Sequence, residues 1–437
     1  MLAFLVRTWG LADHFWLLGD QIRDWGIALG PFRELPLVGP PTHVGGYSLG
    51  PAYYWLMWAI RVVLGPWFDN LPHAGGYGQA LIESAADALL FAAIWRRVSG
   101  LVAVTFALLV ITAPYDVALS AIVWTSPVCS AFLKCATALV LFDWHRRSAW
   151  RIALIAALCW AAVQIHTAGI FVAAGLFAAI FVDSIVARGW NGVSRTVIAW
   201  AAVVGVMQIP YAAHQLLHRD AAPGMGAVTA SIGSLVTGRQ TPQLEKSVNG
   251  YVAAIDVFQS SPWHLTWLHW VLGLSAIVCA LRFYGDPVLL GVVLLPQAAA
   301  IVGYSLYLDV LDHYNFLSVV PLAVLMVLLA AIVPQRSWWS RTVGLIVVVA
   351  ALAIVPARLR QAALWHRMPE YHALVKGSRR VAAMEQPMRD VRTAFPLLPT
   401  SNPAFLYTIL GGRIDPTARW IAVIQADGSV QFTKADP

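Results

Sequence analysis

RIALIAALCWAAVQIHTAGIFVAAGLFAAIFVDSIVAR, residues 151–188, carries one apolar run over 150–166 and a second over 168–187. The join at His166-Thr167 has no lysine or arginine, and Arg151 and Arg188 bound the pair. A bilayer-crossing helix needs about 20 predominantly apolar residues, and connections rich in lysine and arginine stay on the cytoplasmic side. The stretch therefore predicts a pair of membrane-spanning helices with the uncharged turn outside. Further apolar runs lie at 78–95, 100–114, 127–143, 195–211, 266–282, 287–307, 316–333 and 339–356, and a shorter one opens the chain. Alternate connections hold the cations: Arg96 and Arg97; Arg146, Arg147 and Arg151; Arg188 and Arg195; Arg282; Arg336 and Arg341. The connections at 115–126 and 308–315 hold none, which assigns them to the outer face.

Leu49 to Pro66 breaks this alternation if it is counted as a span. Read instead as a helix along the outer surface, with Arg61 toward headgroups and Tyr53, Tyr54, Trp55 and Trp58 at the interface, it restores the alternation. The expectation is an all-α polytopic membrane protein of about eleven spans. Its transmembrane module covers 1–356, with a first outer loop at 13–77 bearing surface helices and a large outer loop at 212–265. The tail, 357–437, breaks at Pro396, Pro399 and Pro403, then alternates apolar and polar residues around Asp427-Gly428, a hairpin signal. It predicts a small extracytoplasmic α/β domain. The opening run, about 18 residues with Arg7 in its middle, reaches only about 27 Å, so either the start lies upstream or the bilayer thins around it.

Composition agrees with this placement. Of 437 residues 59% are hydrophobic and 12% charged, with a mean hydropathy of +0.68. Soluble domains carry roughly a quarter charged residues, so a soluble enzyme is excluded. The net charge is +7, and 357–437 holds 11 Lys+Arg against 6 Asp+Glu. That points to an anionic membrane surface or lipid as partner and away from nucleic acid. The four cysteines, Cys129, Cys135, Cys159 and Cys279, fall inside apolar runs and predict packing.

Chemistry concentrates in the first outer loop. Asp20, Arg23 and Asp24 stand at i, i+3 and i+4 and share one helix face. A carboxylate beside an arginine, next to the turn-rich strip Gly39-Pro40-Pro41 and Gly45-Gly46, can take a proton from a substrate hydroxyl; the alternative is a surface ion pair. Within the spans Glu83 and Asp87 are four apart and Lys134 lies in another run, an arrangement that predicts mutual pairing. Fingerprints for a DxD-bound nucleotide sugar, a zinc peptidase, a P-loop or a dinucleotide fold are absent from the sequence.

The order GDQxRD (19–24), LxGPPT (37–42) and GPxYYWL (50–56) resembles the first outer loop of the GT-C membrane glycosyltransferases, in the protein-O-mannosyltransferase and aminoarabinose-transferase-like group. APYDVALSAIVWTSP (113–127), VQIHTAGIFV (163–172) and DHYNFLSVVPL (312–322) are similar to later outer segments, so the resemblance runs in order over about 13–335. It implies transfer of a sugar from a polyprenyl-phosphate donor to an acceptor hydroxyl on the outer side of the cell (inner or plasma) membrane, by single displacement with inversion. The acceptor is an envelope glycan, lipid or protein. Asp20 takes the place of the family's catalytic aspartate. Gln21 stands where glutamate is commoner, leaving Asp24 or Asp116 to supply a second carboxylate. His43, Tyr53, Tyr54, His166, Arg239, His313 and Tyr314 are candidates to hold substrate or phosphate with Arg23 and Asp24, and Arg33 and Lys246 are further outer-loop cations. The donor is substrate rather than cofactor, and the need for a divalent metal stays open. The rival function is transport or flipping of a lipid-linked saccharide, which requires charged spans but no base.

Overall fold

The structure, a computed structural model, describes residues 1–11, 19–42, 46–68, 71–113, 123–142, 148–218, 283–305, 338–366, 369–396 and 402–435, with shorter pieces at 117, 119, 233, 237, 243–245, 247–248, 276–277 and 279–281. Helices dominate: α1 (Leu2–Thr8), α2 (Gly19–Ala28), α3 (Ala52–Leu64), α4 (Leu71–Arg97), α5 (Gly100–Ile111), α6 (Thr125–Leu141), α7 (Ala149–Ile165), α8 (Gly169–Met207), α9 (Ile209–Leu217), α10 (Pro287–Ser305) and α11 (Trp338–His366). They follow the apolar runs, because a backbone in lipid must satisfy its own hydrogen bonds. The run at 316–333 and most of that at 266–282 lie outside the described residues.

Among the described residues, Gly169–Ala187 and Pro287–Ser305 are long and apolar enough to cross a bilayer, and the pair Gly189–Met207 and Ile209–Leu217, bent by 42°, is a third candidate. Apolar helices of this kind suit a membrane location, and among the described residues they number two or three rather than the eleven expected. α5, α6 and α7 are apolar over only 12, 17 and 17 residues, less than a perpendicular crossing requires.

Near Gly189, φ +58° and ψ −152° interrupt α8. Ser184 and Thr196 share a hydroxyl–hydroxyl hydrogen bond of 2.8 Å across the break. In a straight helix twelve residues would separate them by about 18 Å, so the chain doubles back here and α8 is two helices, matching the apolar runs at 168–187 and 195–211.

Contacts between distant segments sort the described residues into two ends. At one end Arg97 pairs with Asp286 at 2.5 Å, and Arg151 donates to the Leu139 carbonyl. At the other, Gln164 donates to the Met207 carbonyl at 2.6 Å, Gln208 to that of Leu49 at 2.9 Å, and Tyr304 to that of Ala168 at 3.4 Å. The first end holds Arg97 and Arg151, and the second the uncharged turn at His166-Thr167.

Close approach of α10 to α8 depends on absent side chains. A Cβ on Gly175 would lie 2.3 Å from Pro296 Cα, and one on Gly303 would lie 2.1 Å from the Phe171 ring. Small residues at such contacts let helices pack where lipid offers no hydrophobic drive of its own.

α1, α4 and α6 meet around four buried charges. Arg7 reaches Asp87 at 2.6 Å, and Lys134 reaches Glu83 at 3.0 Å and Asp87 at 2.9 Å. The predicted pairing of Glu83 and Asp87 with Lys134 is present, and Arg7 adds a second cation on Asp87.

α11 continues through Pro356 to His366, ten residues beyond the apolar run expected to end the membrane module. The tail then forms α12 (Pro369–Ala382), β1 (Asp390–Thr393), α13 (Pro403–Ile409), β2 (Trp420–Ile424) and β3 (Val430–Lys434). The sheet has the order β1-β2-β3. β1 runs parallel to β2 (Val391 opposite Ala422) and β2 antiparallel to β3 (Ala422 opposite Phe432). Gly428, at φ +76°, turns the hairpin signalled by Asp427-Gly428. Lys376 and Arg380 of α12 donate to the carbonyls of Asp427 and Gly428, holding helix to turn.

Candidate active site in the first outer loop

α2 lies at the end of the bundle that holds the uncharged His166-Thr167 turn, and four contacts fix it there. Trp25 is 1% exposed and fills the space over Gly75 of α4, where a Cβ would come within 2.5 Å of both the Trp25 ring and Val123. The Gln21 carboxamide donates to the Val123 carbonyl at 3.3 Å, and the Tyr53 hydroxyl donates to the same oxygen at 3.1 Å. Arg61 of α3 donates to the carbonyl of Leu29, just past the end of α2; it therefore caps that helix end instead of facing headgroups as expected. The fourth contact is made by Tyr54.

These contacts leave the polar face of α2 at the edge of the protein. Arg23 sits between two carboxylates: Nη1 donates to Asp20 at 2.9 Å and Nε donates to Asp24 at 2.8 Å. The Tyr54 hydroxyl donates to the same Asp24 oxygen, Oδ1, at 3.2 Å. The two acids differ sharply in surroundings, the Asp20 side chain being 55% exposed and that of Asp24 1%. Asp24 Oδ2 is buried with no hydrogen-bond partner.

Burial therefore dominates the electrostatics of Asp24 and pushes its carboxyl up to about 6, against the opposing pull of Arg23 and Tyr54. Burial, reinforced by the neighbouring Asp24 charge, raises the hydroxyls of Tyr53 and Tyr54, so both stay neutral donors. For Arg23 burial acts against the charge, but the bond to Asp24 and the two carboxylate charges outweigh it and raise its proton affinity. Arg23 has five N–H donors in a planar fork; with Nε and Nη1 directed to the carboxylates and 35% of the side chain exposed, it presents an outer edge to an incoming anion.

The structure thus brings Asp20, Arg23, Asp24 and Tyr54 together. Tyr53 and Tyr54, expected at the membrane interface, are instead 0% and 2% exposed and turned into the protein. Gln21 makes a bond to the Val123 carbonyl, alongside that of Tyr53, for which an ionised glutamate would have no donor.

His166 caps the end of α7, half-buried, and its Nδ1 accepts from the backbone N–H of Ala168 at 3.2 Å. Arg33 lies exposed, 3.7 Å from Glu34. His43, Asp116, Arg239, Lys246, His313 and Tyr314 lie outside the described residues. Among the described residues no three His, Cys, Asp or Glu side chains come together in a group that could hold a metal ion.

The Gly/Pro strip after α2 folds back on itself. Pro41 bridges Tyr47, Ser48 N–H donates to the Pro40 carbonyl at 2.9 Å, and Gly39 N–H donates to that of Ser48 at 3.1 Å. A Cβ on Gly50 would lie 2.5 Å from the Gln164 carboxamide, so the glycine lets this finger seat on α7. Tyr47 at its other side meets the His214 ring edge-on.

Comparison with solved structures matches this arrangement over nearly its whole length. ArnT from Cupriavidus metallidurans in the apo state is similar with a TM-score of 0.59 at 14% identity, covering 94% of this chain and 83% of that one. The same protein bound to undecaprenyl phosphate gives 0.57 at 14% identity, with 94% and 84% covered. The fold is GT-C. No family model and no curated protein sequence matches the chain. The GT-C fold is therefore carried here by a sequence only 14% identical to that neighbour.

Proposed function

We propose that the protein is an integral membrane glycosyltransferase that moves a sugar from a polyprenyl-phosphate donor to an acceptor hydroxyl on the outer side of the cytoplasmic membrane. The observation that carries the reading is the GT-C fold across 94% of the chain, shared with an ArnT structure that holds undecaprenyl phosphate. A carboxylate–arginine cluster on the first outer loop supports it. In this reading the chain crosses the membrane about eleven times, the end bearing α2 faces outward, and the tail sheet lies on that side.

Asp20 is the base: it is exposed and held by Arg23, so it can reach a hydroxyl as general-base chemistry requires. The acceptor oxygen attacks the anomeric carbon while its proton passes to Asp20. The bond from that carbon to the phosphate oxygen breaks, its electrons leave with the phosphate, and the anomeric centre inverts. Charge accumulating on the departing phosphate calls for fixed donors at that point. The outer edge of Arg23 is suited to it, since a guanidinium can bond two oxygens at once. His43, Asp116, His166, Arg239, His313 and Tyr314 remain candidates to line the donor and acceptor paths.

Mass-spectrometric comparison of envelope glycolipids and glycoproteins with and without the gene tests the reading. Sugar-bearing species that vanish with the gene, return with the wild-type copy and fail to return with Asp20→Asn support a transferase. Full restoration by Asp20→Asn rejects Asp20 as base and favours transport of the lipid-linked saccharide.

A further inference from the structure

We propose that Asp24 is a positioning residue for this reaction: its buried carboxylate grips Arg23 through Nε, fixing the guanidinium beside Asp20, and a proton on Asp24 releases that grip. The proposal rests on the transferase reading and deepens it by making the site sensitive to external acid.

The geometry is asymmetric. Asp24 Oδ1 receives both Arg23 Nε, at 2.8 Å, and the Tyr54 hydroxyl, at 3.2 Å, while Oδ2 is buried without a partner. An ionised carboxylate so placed has half of its charge unsolvated, a costly state unless it is paired and hydrogen-bonded. A proton relieves that cost, and it also removes the ion-pair attraction to Arg23, leaving the guanidinium a bond to an uncharged acceptor. The guanidinium, 35% exposed, then keeps its ion pair with Asp20 alone, itself 55% exposed to water. The groups acting on Asp24 are Asp20 and Arg23 from its own helix and Tyr53 and Tyr54 from α3. His73 is the titratable residue on the stretch of α4 that Trp25 touches. Burial sets the Asp24 carboxyl at about 6, within the range an outer membrane face meets.

The probe is undecaprenyl phosphate binding to the full chain in nanodiscs, measured for wild type and Asp24→Asn from about pH 8 to about pH 5. Asparagine keeps the shape and the Oδ1 acceptor but neither the charge nor the proton. The phosphate titrates on its own, so the ratio of the two affinities is the quantity read, and the ligand's ionisation cancels in it. Wild type is expected to bind about 10-fold more tightly at the alkaline end. One pH unit below the midpoint only about a tenth of Asp24 is ionised, which shrinks the advantage to about two-fold. A purely structural role for Asp24 gives a ratio that does not move with pH, and that result, or a ratio near one throughout, overturns the proposal. If Asp24→Asn does not fold, Tyr54→Phe serves: losing a bond that favours ionised Asp24, it should lose affinity at a higher pH than wild type. Failure of wild type to bind undecaprenyl phosphate at any pH overturns the transferase reading instead. The infrared band of the Asp24 carboxylic acid then reports its titration separately, and absence of that band at about pH 5 overturns the proposal in either case.

Discussion

Lys134→Met isolates the buried charge set. In the native protein Lys134 lies 3.0 Å from Glu83 and 2.9 Å from Asp87, with Arg7 2.6 Å from Asp87 on the far side, and side-chain exposures of all four between 0% and 7%. Methionine has nearly the length of lysine, so little volume is lost and the change is one of charge. It removes a cation that both buried carboxylates contact where water does not reach. Breaking a buried pair by removing one partner costs about 3–5 kcal/mol. At roughly 2–4 °C per kcal/mol for a large domain, the detergent-solubilised protein should melt on the order of 10 °C lower, measured by loss of the monodisperse peak after heating. Adding Glu83→Gln restores neutrality around the remaining Arg7–Asp87 pair and should recover most of the loss, since a neutral substitute for a buried pair is often no worse than the pair itself. Melting within about 2 °C of wild type for Lys134→Met alone, or no recovery in the double variant, would refute the account of these charges as a mutually dependent set.

Asp20→Asn should reduce sugar transfer by about 10²–10⁴-fold, the usual contribution of a general base, with expression and melting temperature unchanged because the side chain is exposed. Gly75→Val should push Trp25 and Val123 aside, costing about 1–3 kcal/mol by overpacking, and should lower transfer with stability because it displaces α2. Asp24→Asn should stabilise the protein near neutral pH. The native carboxyl, at about 6, lies above its ordinary 3.8, so the ionised form is the disfavoured one. That penalty is fully present above the native value, shrinks as pH falls through it, and is gone below the unfolded value. The difference corresponds to about 3 kcal/mol, so the variant's melting advantage should be largest near pH 7.5 and disappear by about pH 4.

The sequence made the membrane class legible because hydrophobic runs and arginine placement are local signals, and the helices fall where those runs lie. It also made legible the shared face of Asp20, Arg23 and Asp24, since i, i+3 and i+4 spacing fixes neighbours on a helix. It could not say which acid is buried. That depends on Tyr54, thirty residues on, and on Gly75 accepting Trp25. Arg7 looked anomalous because its partner Asp87 stands eighty residues away. Tyr53 and Arg61 were misplaced because an amphipathic surface helix was assumed to present its polar and aromatic groups to lipid headgroups. Tyr53 instead bonds the Val123 carbonyl just before α6, and Arg61 the Leu29 carbonyl just after α2. The shortness of α5, α6 and α7 was visible in advance, since the apolar runs at 100–114, 127–143 and 150–166 hold only 15, 17 and 17 residues.

The Arg7–Asp87 contact also dictates a timetable. At about 5–20 residues per second, the ribosome delivers Asp87 roughly 4–16 seconds after Arg7, and Lys134 later still. Until then the first helix carries a cation that hydrocarbon rejects, so it should linger at the lipid–water boundary or inside the insertion machinery. Commitment of the amino-terminal segment would thus be a late event in biogenesis, triggered when α4 arrives.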